Sequence, residues 1–202
     1  MDGSNGSTTF TDSSSNAVSV TAYGNAQIST AQSKFGGASG LFDGTGDYLV
    51  TATSSLFAIT GDFFVEFFAY INATSSANYT MAHVNAGSNN GLHIYYFENT
   101  LRVDNGVAAD YSGTTNLLPS STWKHIAVGK AGSTLYIFVD GSLVSTRTAQ
   151  GYGTPDRVQV GRFLTGGATN DCDCYIDELR VTVGVCRFTA SFTAPTAPFQ
   201  NF

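Results

Sequence analysis

Apolar and polar residues alternate with a period of two through most of the chain, and two stretches show it most clearly. Gly61 to Ile71, GDFFVEFFAYI, places Phe63, Val65, Phe67, Ala69 and Ile71 on one face and Phe64, Glu66, Phe68 and Tyr70 on the other. Trp123 to Gly141, WKHIAVGKAGSTLYIFVDG, reads as a hairpin: two alternating runs meet at Ala131-Gly132-Ser133, and the second ends at an Asp-Gly turn. Leu135, Ile137 and Val139 share one face of its second strand, Tyr136 and Phe138 the other. Strands that are apolar on both faces belong near the middle of a sheet, with a packed core behind and a semi-protected surface in front.

Weaker alternation extends the strand pattern in both directions. Ala17 to Ala22 and Ala26 to Ser29 are short β-prone pieces in a Ser/Thr/Asn/Gly-rich start and predict edge strands. Met81 to Val84, Gly91 to Phe97, Leu101 to Val107, Leu143 to Thr148, Arg157 to Phe163 and Cys174 to Thr182 complete the set. Phe188 to Phe202 carries Pro195 and Pro198 among Thr and Phe residues, and predicts an extended arm laid along the domain. Nothing has helical period, and no linker or repeat divides the chain. The fold class is all-β, a two-sheet antiparallel sandwich in one domain over residues 1–202, with 188–202 as the arm.

Composition agrees: aromatic residues make up 13%, charged residues only 12%, and Gly is abundant. Nine basic residues against fifteen acidic give a net charge of -6, and the bases are scattered singly, which argues against nucleic acid as a partner. No run approaches the ~18 apolar residues of a membrane span, and the start MDGSNGSTTF lacks the basic and apolar segments of a signal peptide, so no membrane insertion is expected. The three cysteines, Cys172, Cys174 and Cys186, are read as thiols, because the number is odd and the chain is large enough to fold without staples.

Chemistry enters at three places. In the second parity of the strands, large rings recur: Phe68, Tyr70, His93, Tyr95 and Tyr136 are candidates for stacking on sugar rings if they form one open sheet surface, whereas cover by loops or neighbouring chains would bury them. Asp43-Gly44-Thr45-Gly46-Asp47 puts two carboxylates around a tight turn, either a calcium loop or a hairpin turn with solvated carboxylates; the EF-hand spacing is absent. Catalysis is not expected. The chain has only Glu66, Glu98 and Glu178, with no repeated carboxylate pattern on one strand, and simple alternation sends Asp177 and Glu178 to opposite faces. It also has no Gly-x-Ser-x-Gly elbow, and His83, His93 and His125 stand apart.

Four motifs in order, KFGGASGLFDGTGDYL, GDFFVEFFAYI, WKHIAVGKAGSTLYIFVDG and YIDELRVTVGVCRFTASFTAPTAPF, resemble the laminin-G-like, concanavalin A-like jelly-roll family, particularly the version found in bacteriophage virion proteins. The likeness covers nearly the whole chain. It implies two antiparallel sheets packed face to face. It also implies a structural calcium, which maps to Asp2, Asp43 and Asp177, and a non-catalytic role on a virion surface as a capsid decoration, fibre or tail component. The partners expected from it are other virion proteins, further copies of the same chain, and glycans of the host surface. In that setting the arm, through Phe192, Phe199 and Phe202, would serve assembly. The other reading is a carbohydrate-binding module or adhesin of a secreted bacterial protein, with an extracellular location.

Overall fold

The computed structural model describes residues 1–72, 78–88, 90–107, 109–113, 116–163 and 171–200. Among these are fourteen strands and one short 3-10 turn. In chain order the strands are β1 (Val20–Tyr23), β2 (Gln27–Ser29), β3 (Ser39–Asp43), β4 (Tyr48–Thr51), β5 (Phe63–Ile71), β6 (Tyr79–Asn85), β7 (Gly91–Phe97), β8 (Thr100–Asp104), β9 (Ala109–Ser112), β10 (Trp123–Ala131), β11 (Thr134–Val139), β12 (Ser142–Thr148), β13 (Arg157–Val160) and β14 (Asp173–Val183). They form two seven-stranded sheets. The first runs β1-β4-β13-β6-β7-β8-β9 and the second β12-β11-β10-β5-β14-β3-β2, all neighbours antiparallel. The early β-prone pieces end up as sheet edges, β1 and β2, and β5 takes the centre of the second sheet.

One core lies between the sheets. Phe63, Val65, Phe67, Ala69 and Ile71 of β5 and Leu135, Ile137 and Val139 of β11 point into it, and Leu92, Ile94 and Tyr96 of β7 meet them from the other side. β11 is set by its two flanking turns. At Asp140-Gly141 both residues have positive φ, 50° and 75°, as a two-residue primed hairpin turn demands. Gly141 has a second reason to lack a side chain: a Cβ there would run into the backbone of Phe192, which crosses directly over it.

Three details depart from the sequence reading. Asp43 to Asp47 does not join a hairpin; β3 and β4 lie in different sheets, so the turn carries the chain from one layer to the other. Cys172 and Cys174 are disulfide-bonded rather than thiols, with Cα atoms 5.5 Å apart. Cys172 lies just before β14 and Cys174 is its second residue, and their Cα separation is within bridging range, a local geometry that the odd count of cysteines concealed. Cys186 alone is free, and burial pushes its thiol up. In β14, finally, a bulge lies between Asp177 and Arg180: Asp177 faces Phe68 of β5 and Arg180 faces Glu66, so β14 spends one residue more than its partner. Glu178, at φ 54°, is that extra residue.

Candidate functional site

The second sheet's outer face is where the large rings of β5 emerge, and most of it is covered. After β14 the chain turns back as the predicted arm and lays Phe188 and Phe192, stacked on each other at 3.9 Å, against Phe64 and Phe138. Phe199 follows, 6.1 Å from Phe68 and edge-on to His125. Among the described residues the arm pairs with no strand. Instead, Phe192 N donates to Gly141 O, Leu143 N donates to Ser191 Oγ, and Phe199 N donates to Glu178 Oε2 at 2.6 Å. The designated arm residues Phe192 and Phe199 thus pack on their own domain; Phe202 lies outside the described residues.

Beneath the arm sits a charged cluster. Glu66 is fully buried, with Arg180 donating to Oε1 from Nε and Nη2, His125 Nε2 3.2 Å from Oε2, and Arg187 Nε 3.5 Å from Oε1. Burial pushes the Glu66 carboxyl up, but the hydrogen bonds from His125 and Arg180 outweigh it and hold the group below the ordinary carboxylate value.

One end of the face stays open among the described residues. Register places Tyr175 of β14, Tyr70 of β5 and Trp123 of β10 side by side across three adjacent strands. Tyr70 is 5.6 Å from Trp123 and 5.9 Å from Tyr175, centroid to centroid, and all three rings are partly exposed. Trp123 is the only tryptophan in the chain. The planes are inclined, by 54° between Tyr70 and Trp123 and by 81° between Tyr70 and Tyr175, so the row offers a mixture of ring faces and edges with polar tips, apolar surface against which a pyranose ring can pack.

The other sequence candidates fall elsewhere. Phe68 is buried under Phe35 and Phe199. Tyr136 lies at the far end of the same face, against the Phe64–Phe138 cluster. His93 and Tyr95 belong to β7, in the first sheet, so the candidate rings do not form one surface. There His93 stacks on Tyr95 at 4.3 Å and is roofed by Phe163 at 4.3 Å. Its Nε2 is 2.9 Å from Thr80 Oγ1 and its Nδ1 3.2 Å from Asp104 Oδ1. Carboxylate, imidazole and hydroxyl are connected in the order of a nucleophile relay, yet Thr80 is fully buried. Burial and Asp104 push the Tyr95 hydroxyl up to about 12.

Nor are Asp2, Asp43 and Asp177 brought together. Asp177 is fully buried and accepts hydrogen bonds from the Met1 ammonium at 2.7 Å and from the amides of Lys34, Phe35 and Glu178. Asp2 lies against Gly36, its carboxylate where a side chain would begin. Asp43 pairs across the ladder with Asp173, four residues along β14 from Asp177, and accepts from Asn25 Nδ2 and Thr45 N. No group of three or more His, Cys, Asp or Glu side chains placed to hold a metal occurs among the described residues.

Trp123 and Tyr175 were not singled out in the sequence. Trp123 opens β10 and Tyr175 is the third residue of β14, and only the pairing of both strands with β5 makes them neighbours of Tyr70.

Known proteins with this architecture include glycan-binding ones. The chain is similar to botulinum neurotoxin type C, in a structure describing its dependence on two ganglioside molecules for cell entry, with 16% identity, a TM-score of 0.66, and coverage of 86% of this chain and 45% of the toxin chain. The binding domain of botulinum neurotoxin serotype D/C matches at 16% identity and TM-score 0.65, covering 88% and 47%. Trypanosoma rangeli sialidase, in complex with 2,3-difluorosialic acid, matches at 15% identity and TM-score 0.61, covering 82% and 27%. The chain therefore spans less than half the length of the structures it resembles, and at these identities the likeness is one of fold. A search of curated proteins finds no match. A family profile described as the concanavalin A-like lectin/glucanases superfamily, of laminin G type, matches residues 43–185, which span β4 to β14, and the chain belongs to that family.

Proposed function

We propose that this chain is a non-catalytic, carbohydrate-contacting surface protein, and that Tyr70, Trp123 and Tyr175 form its sugar-stacking platform. The observation that carries the reading is the open row of three rings on a sheet face that the chain's own arm largely covers elsewhere. The ganglioside and sialic acid ligands of the similar structures support carbohydrate as the ligand class. The non-catalytic part is supported by the use of the acidic groups: Glu66 is locked under the arm and Glu178 holds Phe199.

Because Trp123 is the sole tryptophan, its fluorescence reports on the platform directly. Sugar binding should quench or shift that emission, and Tyr175→Ala, which keeps the reporter, should weaken binding about ten-fold, as loss of a stacking ring does. A sugar that binds by calorimetry without changing Trp123 emission would place the site elsewhere. Turnover of a bound glycan by the purified protein would overturn the non-catalytic reading.

The setting proposed is the surface of a bacteriophage virion, in contact with other virion proteins, with further copies of this chain and with host-surface glycans. Its support is the ordered likeness of the four motifs to phage members of the family. Mass spectrometry of particles purified from cells that make the chain should find it there; particles free of it would leave the secreted adhesin reading in its place.

A further inference from the structure

Two residues before Tyr175 on the same face of β14 is Asp173, and beside it the strands end in a polar rim. Asp43 of β3 stands opposite Asp173, and Asn72, just past β5, donates from Nδ2 to Asp173 Oδ1 at 2.7 Å. Asn25 Nδ2 in turn donates to Asp43 Oδ2 at 3.0 Å. Asp43 is exposed, and Asp173 and Asn72 are partly so. Asp173 and Asn72, each two residues beyond a ring on the same run of chain, therefore border one long edge of the ring platform, and Asp43, with Asn25 on it, continues the rim one strand further out. A carboxylate accepts hydrogen bonds at about four positions, so both retain capacity beyond these contacts.

The cations of the chain do not offset this edge. It has nine Lys and Arg. Lys124, next to Trp123, is held by Asp140 at 2.6 Å, and Arg162 is gripped through Nε and Nη2 by Asp171. Lys34 sits further in, over the rings of Phe68 and Phe35. Residues 73–77 and 164–170 contain no charged side chain. Both charged groups of the rim are thus negative, and Lys34 stands over Phe68, two residues along β5 from Tyr70, rather than on that rim.

We infer that the Tyr70–Trp123–Tyr175 platform takes a neutral pyranoside, whose hydroxyls donate to Asp173 and Asp43, and turns away sugars that carry a carboxylate. The inference rests on the carbohydrate-binding reading above and departs from the sialic acid chemistry of the similar structures. Like charge across a contact selects against the wrong ligand more than it strengthens the right one.

Titration followed by Trp123 emission decides it, with matched neutral and acidic sugars: lactose against 3′-sialyllactose, and methyl glucoside against methyl glucuronide, within a wider panel of oligosaccharides. Neutral members should bind at least about ten-fold more tightly than their acidic counterparts, and the gap should narrow as salt is raised. Asp173→Asn and Asp43→Asn, each nearly the same shape as the native residue, should narrow it further by admitting the acidic sugar. Acidic sugars that bind as well as neutral ones, or a gap that neither variant changes, would overturn the inference while leaving the platform in place. If no sugar of either kind affects Trp123, the platform reading itself fails.

Discussion

Arg180 reaches Glu66 with two hydrogen bonds, Nε at 3.0 Å and Nη2 at 2.7 Å, and it can do so only because β14 carries an extra residue at Glu178. Without the bulge, alternation from Asp177 would turn Leu179 outward and Arg180 into the core. With it, Leu179 and Val181 pack against the core, and Arg180 lies over the outer face beneath Phe199, 4.1 Å from its ring centroid. The same bulge lets Glu178 accept from Phe199 N, so one backbone irregularity both pairs the buried carboxylate and anchors the arm. Arg180→Met should therefore cost about 3 kcal/mol in urea unfolding, because it strips a fully buried carboxylate of its main partner. The double variant with Glu66→Gln should recover part of that loss. Losses that simply add would show the two side chains to be uncoupled.

The arm acts as a third layer on the second sheet. Ending the chain after Thr189 removes Phe192 and Phe199, uncovers Phe64, Phe138 and Phe68, and opens the Glu66 cluster to water. Chains cut there should melt well below the intact protein and bind a hydrophobic dye. Phe192→Ala alone should cost about 2 kcal/mol, the order expected for a mostly buried ring. A cut chain with native stability and no dye binding would mean the arm does not rest on its own sheet in solution.

How much of this the sequence disclosed follows from the range of the interactions. Period-two alternation is local, so β5, the β10–β11 hairpin and the sandwich itself were legible, as was Phe67 as a core ring; Phe67→Ala should cost about 3 to 5 kcal/mol in the same urea assay. The aromatic parity was legible as well, but not which sheet each strand joins. His93 and Tyr95 therefore looked like neighbours of Phe68 and Tyr70 when they sit on the opposite side of the molecule. Register was equally hidden: nothing within Cys174 to Thr182 marks Glu178 as a bulge residue, and nothing local brings Tyr175 and Trp123 to Tyr70. The short strand β9 lacks alternation long enough to register as a pattern.

Asp177 is saturated by hydrogen bonds from the Met1 ammonium and three backbone amides. If holding those donors is its role, Asp177→Asn should lower the melting temperature by the same amount in calcium and in chelator. A loss confined to calcium-containing buffer would instead make Asp177 the ligand that the family likeness implies.

Stability should fall with acid in two separable steps. Burial holds the His93 imidazole below its ordinary value of 6.5, and the opposing hydrogen bond to Asp104 does not reverse that. Between the folded and unfolded values the unfolded chain binds the proton and the folded chain does not, so His93 contributes stability above 6.5 that is lost as the pH drops. Glu66 behaves in the same sense lower down: its folded value is held below 4.5, so its contribution is present above 4.5 and disappears in stronger acid. The groups facing His93 are Thr80 and His83 from β6, Tyr95 beside it on β7, Asp104 from β8, and Phe163 above. Urea midpoints measured between about pH 7.5 and 5.5 should therefore decline in the native protein and decline less in His93→Gln, whereas Glu66→Gln should flatten the decline below about pH 4.5. A native slope that survives His93→Gln intact would assign the first step to another group.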